Sequence, residues 1–211
     1  MTPPKLILAS GSPQRRTLLD KAGFDFEVMV PDDSAENCGI CTTGGPAALV
    51  TELAMRKAAD VVGTIARDQY GARDQQLGPS LVIGCDTVAE CDGAVLGKPR
   101  DEDHARDMLL RLRGRQQRVF SGLCLWPVGV LNDDRKPQTH LAVTELRMDS
   151  IADEDIEDYL ISELWRGKAG GFGYQDRQGW LHILEGSATN VIGLPMELLT
   201  DQLASRGVLP R

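Results

Sequence analysis

The chain has 211 residues, of which 42% are hydrophobic, 26% charged and 5% aromatic, and its formal net charge is −8. That length suits one large domain, or two intimate lobes around a sizeable core. The acidic balance excludes a protein that coats nucleic acid through a broad basic surface, and no apolar run approaches the ~18–20 residues that span a bilayer.

The short start before Lys5, with Pro3 and Pro4, does not read as a signal peptide, so a cytoplasmic location is expected. Five cysteines (Cys38, Cys41, Cys85, Cys91 and Cys124) make an odd count that fits a reducing compartment. Cys38 and Cys41 form one C-x-x-C, without a second pair or a clustered histidine to complete a zinc site. A zinc or thiol role for that pair is a minor alternative to two thiols in a polar loop.

"KLILASGSPQRRTLL" (Lys5 to Leu19) predicts a short buried strand over Leu6–Ala9, a tight Ser/Gly loop and a helix. Ser12 is suited to cap that helix, Pro13 to its first position, and Gly23 to its stop. Arg15 and Arg16 are unexpected in the first turn. Unpaired N–H groups already make that end positive, and a cation there is unfavourable by up to ~1 kcal/mol. The arrangement points to an anion held above the strand end, although the glycine spacing is not that of a Walker loop.

Asp32 to Gly45 reads as a polar loop. A long helix follows from Pro46 to about Asp68, with Leu49, Val50, Leu53, Ala54, Ala58, Val61, Val62 and Ile65 in helical spacing. Lys57 falls on that apolar stripe, either snorkelling to water or facing a ligand. After a loop at Gln69–Ser80, Leu81–Glu90 predicts a buried strand that delivers Asp86 and Thr87. Asp92–Gly93 marks a hairpin turn leading to "LGKP" with Lys98.

Asp101–Arg113 predicts a helix that buries Ala105, Met108, Leu109 and Leu112 and stops at Gly114. Strands are expected at Arg118–Trp126 and His140–Met148, then a helix capped by Ser150 that carries Ile156, Tyr159, Leu160 and Leu164. A glycine-dense segment, Arg166–Trp180, holds Lys168 and Gln175. "LHILEGSATNVIGLP" predicts a strand and a loop, and a last helix begins at Pro195 with Met196, Leu199 and Leu203 on one face. Trp126, Trp165 and Trp180 read as packing residues, with Phe172 or Tyr174 the better candidates to stack on a planar ligand. The mixture of strands and helices makes the class α/β.

An ionised aspartate on a buried strand is costly unless it meets a cation, a metal or a ligand. Asp86 is therefore either a structural carboxylate or a functional one. Ser10, Ser12, Arg15, Lys57, Lys98 and Lys168 supply hydroxyls and cations that suit a polyphosphate, beside a carboxylate able to hold a divalent metal or accept a proton from water.

"LILASGSPQRRTLL" resembles the opening signature of the Maf family of nucleoside triphosphate pyrophosphatases, L-A-S-x-S-P-R-R followed by Leu-Leu. The likeness continues in family order through "LAMRKA" (Leu53–Ala58), "IGCDTV" (Ile83–Val88), "LGKP" (Leu96–Pro99), "GKAGGFGYQ" (Gly167–Gln175) and "NVIGLP" (Asn190–Pro195), spanning nearly the whole chain. The resemblance implies one domain over 1–211. Its fold would be a mixed twisted sheet with flanking helices, in two lobes around a central cleft, as in the inosine triphosphate pyrophosphatases. It also implies hydrolysis of a nucleoside triphosphate to the monophosphate and pyrophosphate with a divalent cation, Mg²⁺ or Mn²⁺.

Carried over by position, the resemblance implies that Asp86 is the proton acceptor and a metal ligand. Arg15, Lys57 and Lys98 would contact the substrate's phosphates, Ser12 of the N-terminal loop and Arg16 would also bind substrate, and Gln175 would lie toward the base. The family's metal-side glutamate falls in "VPDDSAENCG", where Asp32, Asp33 and Glu36 are candidates and Glu36 is the first choice.

Gln14 stands where the family has its first arginine. Members acting on dTTP and UTP carry arginine, threonine and glutamine at the positions of Gln14, Thr87 and Gln175; those acting on 7-methyl-GTP carry tryptophan, glutamine and glutamate. Two of three positions fit the pyrimidine branch and Gln14 fits neither. The alternatives are a specificity for 7-methyl-GTP, or a nucleotide-binding cell-division regulator with little turnover. The partner implied is a small-molecule nucleotide, with neither nucleic acid nor membrane, and a homodimer is a possible assembly.

Overall fold

The computed structural model describes residues 3–35, 44–71, 78–129, 136–176 and 179–211. Apolar alternation builds one seven-stranded mixed sheet. Its strands are β1 (Lys5–Ala9), β2 (Phe26–Val28), β3 (Ser80–Cys91), β4 (Ala94–Leu96), β5 (Gln116–Val128), β6 (Gln138–Met148) and β7 (Leu181–Glu185). The order is β2-β1-β3-β5-β6-β7, with β4 also paired to β3. β1 runs parallel to β2 and β3, and the remaining pairs are antiparallel.

Successive side chains of β3 point to opposite faces. Val82 joins Ile7, Ala9 and Cys124 against Ala54, Ala58 and Val61 of α2 (Gly45–Gly71), which covers one face. Leu81, Ile83 and Cys85 take the other face. There they pack with Leu19 of α1 (Pro13–Lys21) and Leu199 and Leu203 of α6 (Met196–Ala204). Further along that face, Ala89, Leu146 and Met148 meet Met108 and Leu109 of α3 (Glu102–Leu112) and Ile156 and Leu160 of α4 (Asp153–Ile161). Two helical groups thus cover the two ends of one face, and the cleft lies between them.

Two glycines set how closely α2 approaches. A Cβ on Gly84 would collide with the Ala54 carbonyl oxygen, and one on Gly122 with the Val50 carbonyl oxygen. Gly122 is the register partner of Asp86. The absent side chains let the helix backbone rest on the sheet beside the aspartate.

Most element boundaries follow the sequence pattern. Ser12 caps α1, accepting from the Arg15 amide, with Pro13 at the first helical position. Asp101 is the cap of α3 and accepts from the His104 amide at 2.8 Å. Pro195 precedes α6 as its cap residue.

Ser150 does not cap α4: the cap residue is Ala152, which makes no side-chain bond, and three acids (Asp153, Glu154 and Asp155) supply the charge that favours the helix start. Leu164 lies beyond the end of that helix and is exposed. The expected loop after β7 contains a short helix, α5 (Ala188–Ile192). Ser187 caps it, accepting from the amides of Thr189 and Asn190. β2 carries no local signal; its three residues become a strand through pairing with β1. Within the expected polar loop, Asp33–Ala35 forms a 3₁₀ turn and α2 already begins at Gly45. Cys38 and Cys41 lie outside the described residues.

Candidate active site

The last β1–β3 pair is Ala9–Gly84, and the first β3–β4 pair is Ala89–Leu96. Between them, Cys85 to Val88 have β5 on one side and neither β1 nor β4 on the other. Asp86 and Thr87 occupy that break in the sheet. Side chains from both faces can reach one opening there, so the cation on α2 and the cation on α1 meet.

Lys57 does not snorkel to solvent. Its residue is 4% exposed, and Nζ donates to Asp86 Oδ1 at 2.7 Å. Mutual attraction offsets part of the cost of burying both charges. From the opposite side comes Arg15, also buried. Its Nε donates to the Gly193 carbonyl oxygen at 2.8 Å, one terminal nitrogen to Ser10 Oγ at 3.1 Å, and the other to Thr87 Oγ1 at 3.4 Å. These acceptors offset the penalty of a cation in the first turn and hold the guanidinium at the cavity wall. The exposed Arg16 does not line the cavity.

Asp86, Arg15, Lys57 and Lys98 share one cavity of about 480 Å³, together with Ser12, Gln14, Thr87, Lys168 and Gln175. Gln14 lies in the wall with its Oε1 accepting from Ser12 Oγ at 3.0 Å. Thr87 Oγ1 is 2.8 Å from Ser121 Oγ, so its hydroxyl is part of the bracket around Arg15. The Gly97 carbonyl accepts from the Gly170 amide at 2.9 Å, tying the turn that carries Lys98 to the glycine-rich segment. The buried Cys85 thiol donates to the Gly193 carbonyl, and burial pushes its pKa up.

The opposite wall has a support that sequence reasoning missed. Asp176 accepts from Lys168 Nζ at 2.5 Å, from the Gly173 amide at 3.2 Å and from the Tyr159 hydroxyl. Burial, first, and the adjacent carboxylate push the Tyr159 pKa up, so the phenol remains a donor. One carboxylate thereby anchors both a wall lysine and the turn bearing Gln175. No periodic pattern marks it, because the partners meet through a turn.

Phe172 lines the cavity while packing within an aromatic cluster with Tyr159 and Trp180. Tyr174 is exposed and is not in the wall. Trp165 is buried with Nε1 donating to the Leu160 carbonyl, and Trp126 and Trp180 pack against apolar clusters.

For a divalent cation the donors are oxygens. Lys57 bonds to Oδ1 of Asp86, and the second carboxylate oxygen is a hard donor on the same group. Among the described residues no group of three or more His, Cys, Asp or Glu could form an all-protein cage. That donor set suits an ion such as Mg²⁺, which is commonly held by one or two carboxylates together with substrate phosphates. Of the expected metal-side acids, Glu36 lies outside the described residues. Asp32 is exposed and accepts from the Ser34 amide, which, first among the causes, holds its pKa below the usual value.

A family model described as "Maf-like protein" matches residues 5–206. The chain belongs to the Maf-like family. A curated relative from Rhodopirellula baltica is 45% identical over 202 residues, covering 95% of this chain and 82% of the relative. Another, from Acetivibrio thermocellus, is 35% identical over 205 residues, covering 97% and 96%. Both carry the name dTTP/UTP pyrophosphatase. Among solved structures, the Ham1 protein of Staphylococcus aureus aligns with this Maf-like chain at a TM-score of 0.39 and 12% identity, over 69% of this chain and 72% of that one. No helix among the described residues of the Maf-like protein is long and apolar enough to cross a membrane.

Proposed function

We propose that this Maf-like protein hydrolyses a pyrimidine nucleoside triphosphate, dTTP or UTP, to the monophosphate and pyrophosphate. The observation that carries the reading is the single cavity in which the Asp86–Lys57 pair opens beside Arg15 and Lys98. The names of the relatives support the pyrimidine choice, as do Thr87 and Gln175 at the positions where the resemblance expects them.

In this reading a water molecule attacks the α-phosphorus in line with the departing pyrophosphate. The bond from the α-phosphorus to its bridging oxygen breaks, and that oxygen leaves with the pyrophosphate. Asp86 accepts the proton of the attacking water, contributing on the order of 10²–10⁴-fold as general base. Arg15, Lys57 and Lys98, with the amides at the start of α1, offset the charge gathering on the leaving group. Asp86 would also hold Mg²⁺ or Mn²⁺ together with substrate oxygens and an acid of the Asp32–Glu36 segment; bound there, the ion supplies charge neutralisation. Lys168 and Gln175, anchored through Asp176, orient the nucleoside from the opposite wall.

The test is pyrophosphate release from dTTP, UTP, CTP, ATP, GTP and 7-methyl-GTP with Mg²⁺ or Mn²⁺. The expected result is release from dTTP and UTP with kcat/KM at least ~10-fold above the purine nucleotides, a difference within what one pocket can supply. Binding without release would favour a regulator, and preference for 7-methyl-GTP would move the chain to the other branch.

A further inference from the structure

Beyond Thr87 and Ser121, the cavity wall changes character. On β5, alternation places Ser121, Val119 and Gln117 on one face, opposite Thr87, Ala89 and Leu146 of the neighbouring strands. The first of these belongs to the polar bracket around Arg15. Four residues on, about 13 Å along the strand at ~3.3 Å per residue, Gln117 lies among the apolar wall residues Val119, Leu146, Met148 and Leu181.

Gln117 is only 5% exposed, and its buried amide nitrogen has no hydrogen-bond partner among the described residues. An amide donor in an apolar wall is costly unless something supplies an acceptor. Nearly all buried polar groups are paired, so an unpaired one in a cavity wall calls for an explanation. A ligand oxygen would provide it.

We infer that Gln117 reads the nucleobase, its Nε2 donating to the 4-carbonyl oxygen of uracil or thymine. The inference rests on the pyrimidine triphosphate reading above. Ring geometry selects the atom. C4 lies across the pyrimidine ring from N1, the atom that bears the sugar, so the 4-substituent is farthest from the phosphates. Gln117 is correspondingly set along the sheet from Arg15 and Asp86. Cytosine presents an amino group at that position and would meet the Gln117 donor with another donor. Val119 and Phe172, which also line the cavity, offer apolar surface to the ring and to the 5-methyl group of thymine, so uracil and thymine are both admitted. A pocket that hydrogen-bonds a substrate group rejects an analogue lacking it far more strongly than an apolar pocket does.

Two measurements on the full chain separate this inference from the activity it rests on. The first is the dissociation constants of the non-hydrolysable α,β-methylene analogues of UTP and CTP, by calorimetry. The second is kcat/KM for UTP and CTP. The wild-type protein is expected to favour the uridine compound in both. Gln117→Leu is expected to weaken the uridine analogue at least ~10-fold and change the cytidine analogue less than ~2-fold, with an unchanged or higher melting temperature because an unpaired donor is removed. Gln117→Glu, which offers an acceptor, is expected to shift the ratio toward cytidine.

An unchanged uridine-to-cytidine ratio in both variants overturns the role of Gln117, whether or not UTP is hydrolysed. Normal analogue binding and discrimination without UTP hydrolysis upholds Gln117 and overturns the activity instead.

Discussion

Asp86→Asn is expected to lower kcat by about 10²–10⁴-fold, the range for loss of a positioned acid–base group. The substitution keeps the shape of the side chain, and its amide oxygen can still accept from Lys57 Nζ, which lies 2.7 Å from Asp86 Oδ1 in the native chain. The fold should therefore survive, with an unchanged circular dichroism spectrum. Lys57→Met serves as the contrast. It strands a largely buried carboxylate, and breaking a buried pair from one side costs about 3–5 kcal/mol. Stopped-assay kinetics and thermal melts on the two variants divide the roles: Asp86→Asn should lose turnover with little loss of stability, and Lys57→Met should lose both. Near-normal turnover in Asp86→Asn would remove that residue from the chemistry.

The second large effect is expected where no catalytic group is touched. Gly122→Ala puts a methyl group into the Val50 carbonyl, at the register partner of Asp86. Overpacked cores lose about 1–3 kcal/mol and sometimes more, and here the obstacle is helix backbone instead of a side chain that could swing away. A loss of at least ~3 kcal/mol would lower the melting temperature by about 6–12 °C for a chain of this size. Because α2 also carries Lys57, lifting it from the sheet moves a cation of the site. The variant should lose activity even at temperatures where it remains folded. A melting temperature within a degree of the wild type would mean that α2 does not bear on the sheet at this point.

How much of this was legible in the sequence depended on how local the signal was. Helices with a stripe and a cap were readable: Ala105, Met108, Leu109 and Leu112 are all buried as their spacing requires. The capped α1 and the apolar β3 were equally direct. β2 was not readable, since three residues become a strand only beside β1. α5 had a short signal, a capping Ser187 and a terminal Gly193, in a stretch too brief for periodicity to appear.

At the site, the resemblance named Asp86, Arg15, Lys57 and Lys98, and all four line one cavity. Lys57 had two open readings, and only the glycine-mediated approach of α2 separates them: the lysine turns to Asp86 and not to water. Arg16 looked equivalent to Arg15 in sequence, but one residue is a rotation of about 100° on a helix, since 3.6 residues make a turn. The first arginine is consequently buried at the wall and the second exposed. Asp176 and Gln117 carry no sequence signal, because what distinguishes them is what surrounds them in space. One gathers three donors across a turn, and the other is a polar side chain on a strand whose neighbours in space are apolar.

In the proposed function, the hollow beside the break in the sheet brings water to the innermost phosphorus of a triphosphate chain. Hydrolysis of UTP in ¹⁸O-labelled water, followed by mass spectrometry of the products, tests this most directly. Label in the uridine monophosphate, with unlabelled pyrophosphate, is the predicted outcome. Label in pyrophosphate, or release of orthophosphate with a nucleoside diphosphate, would contradict it.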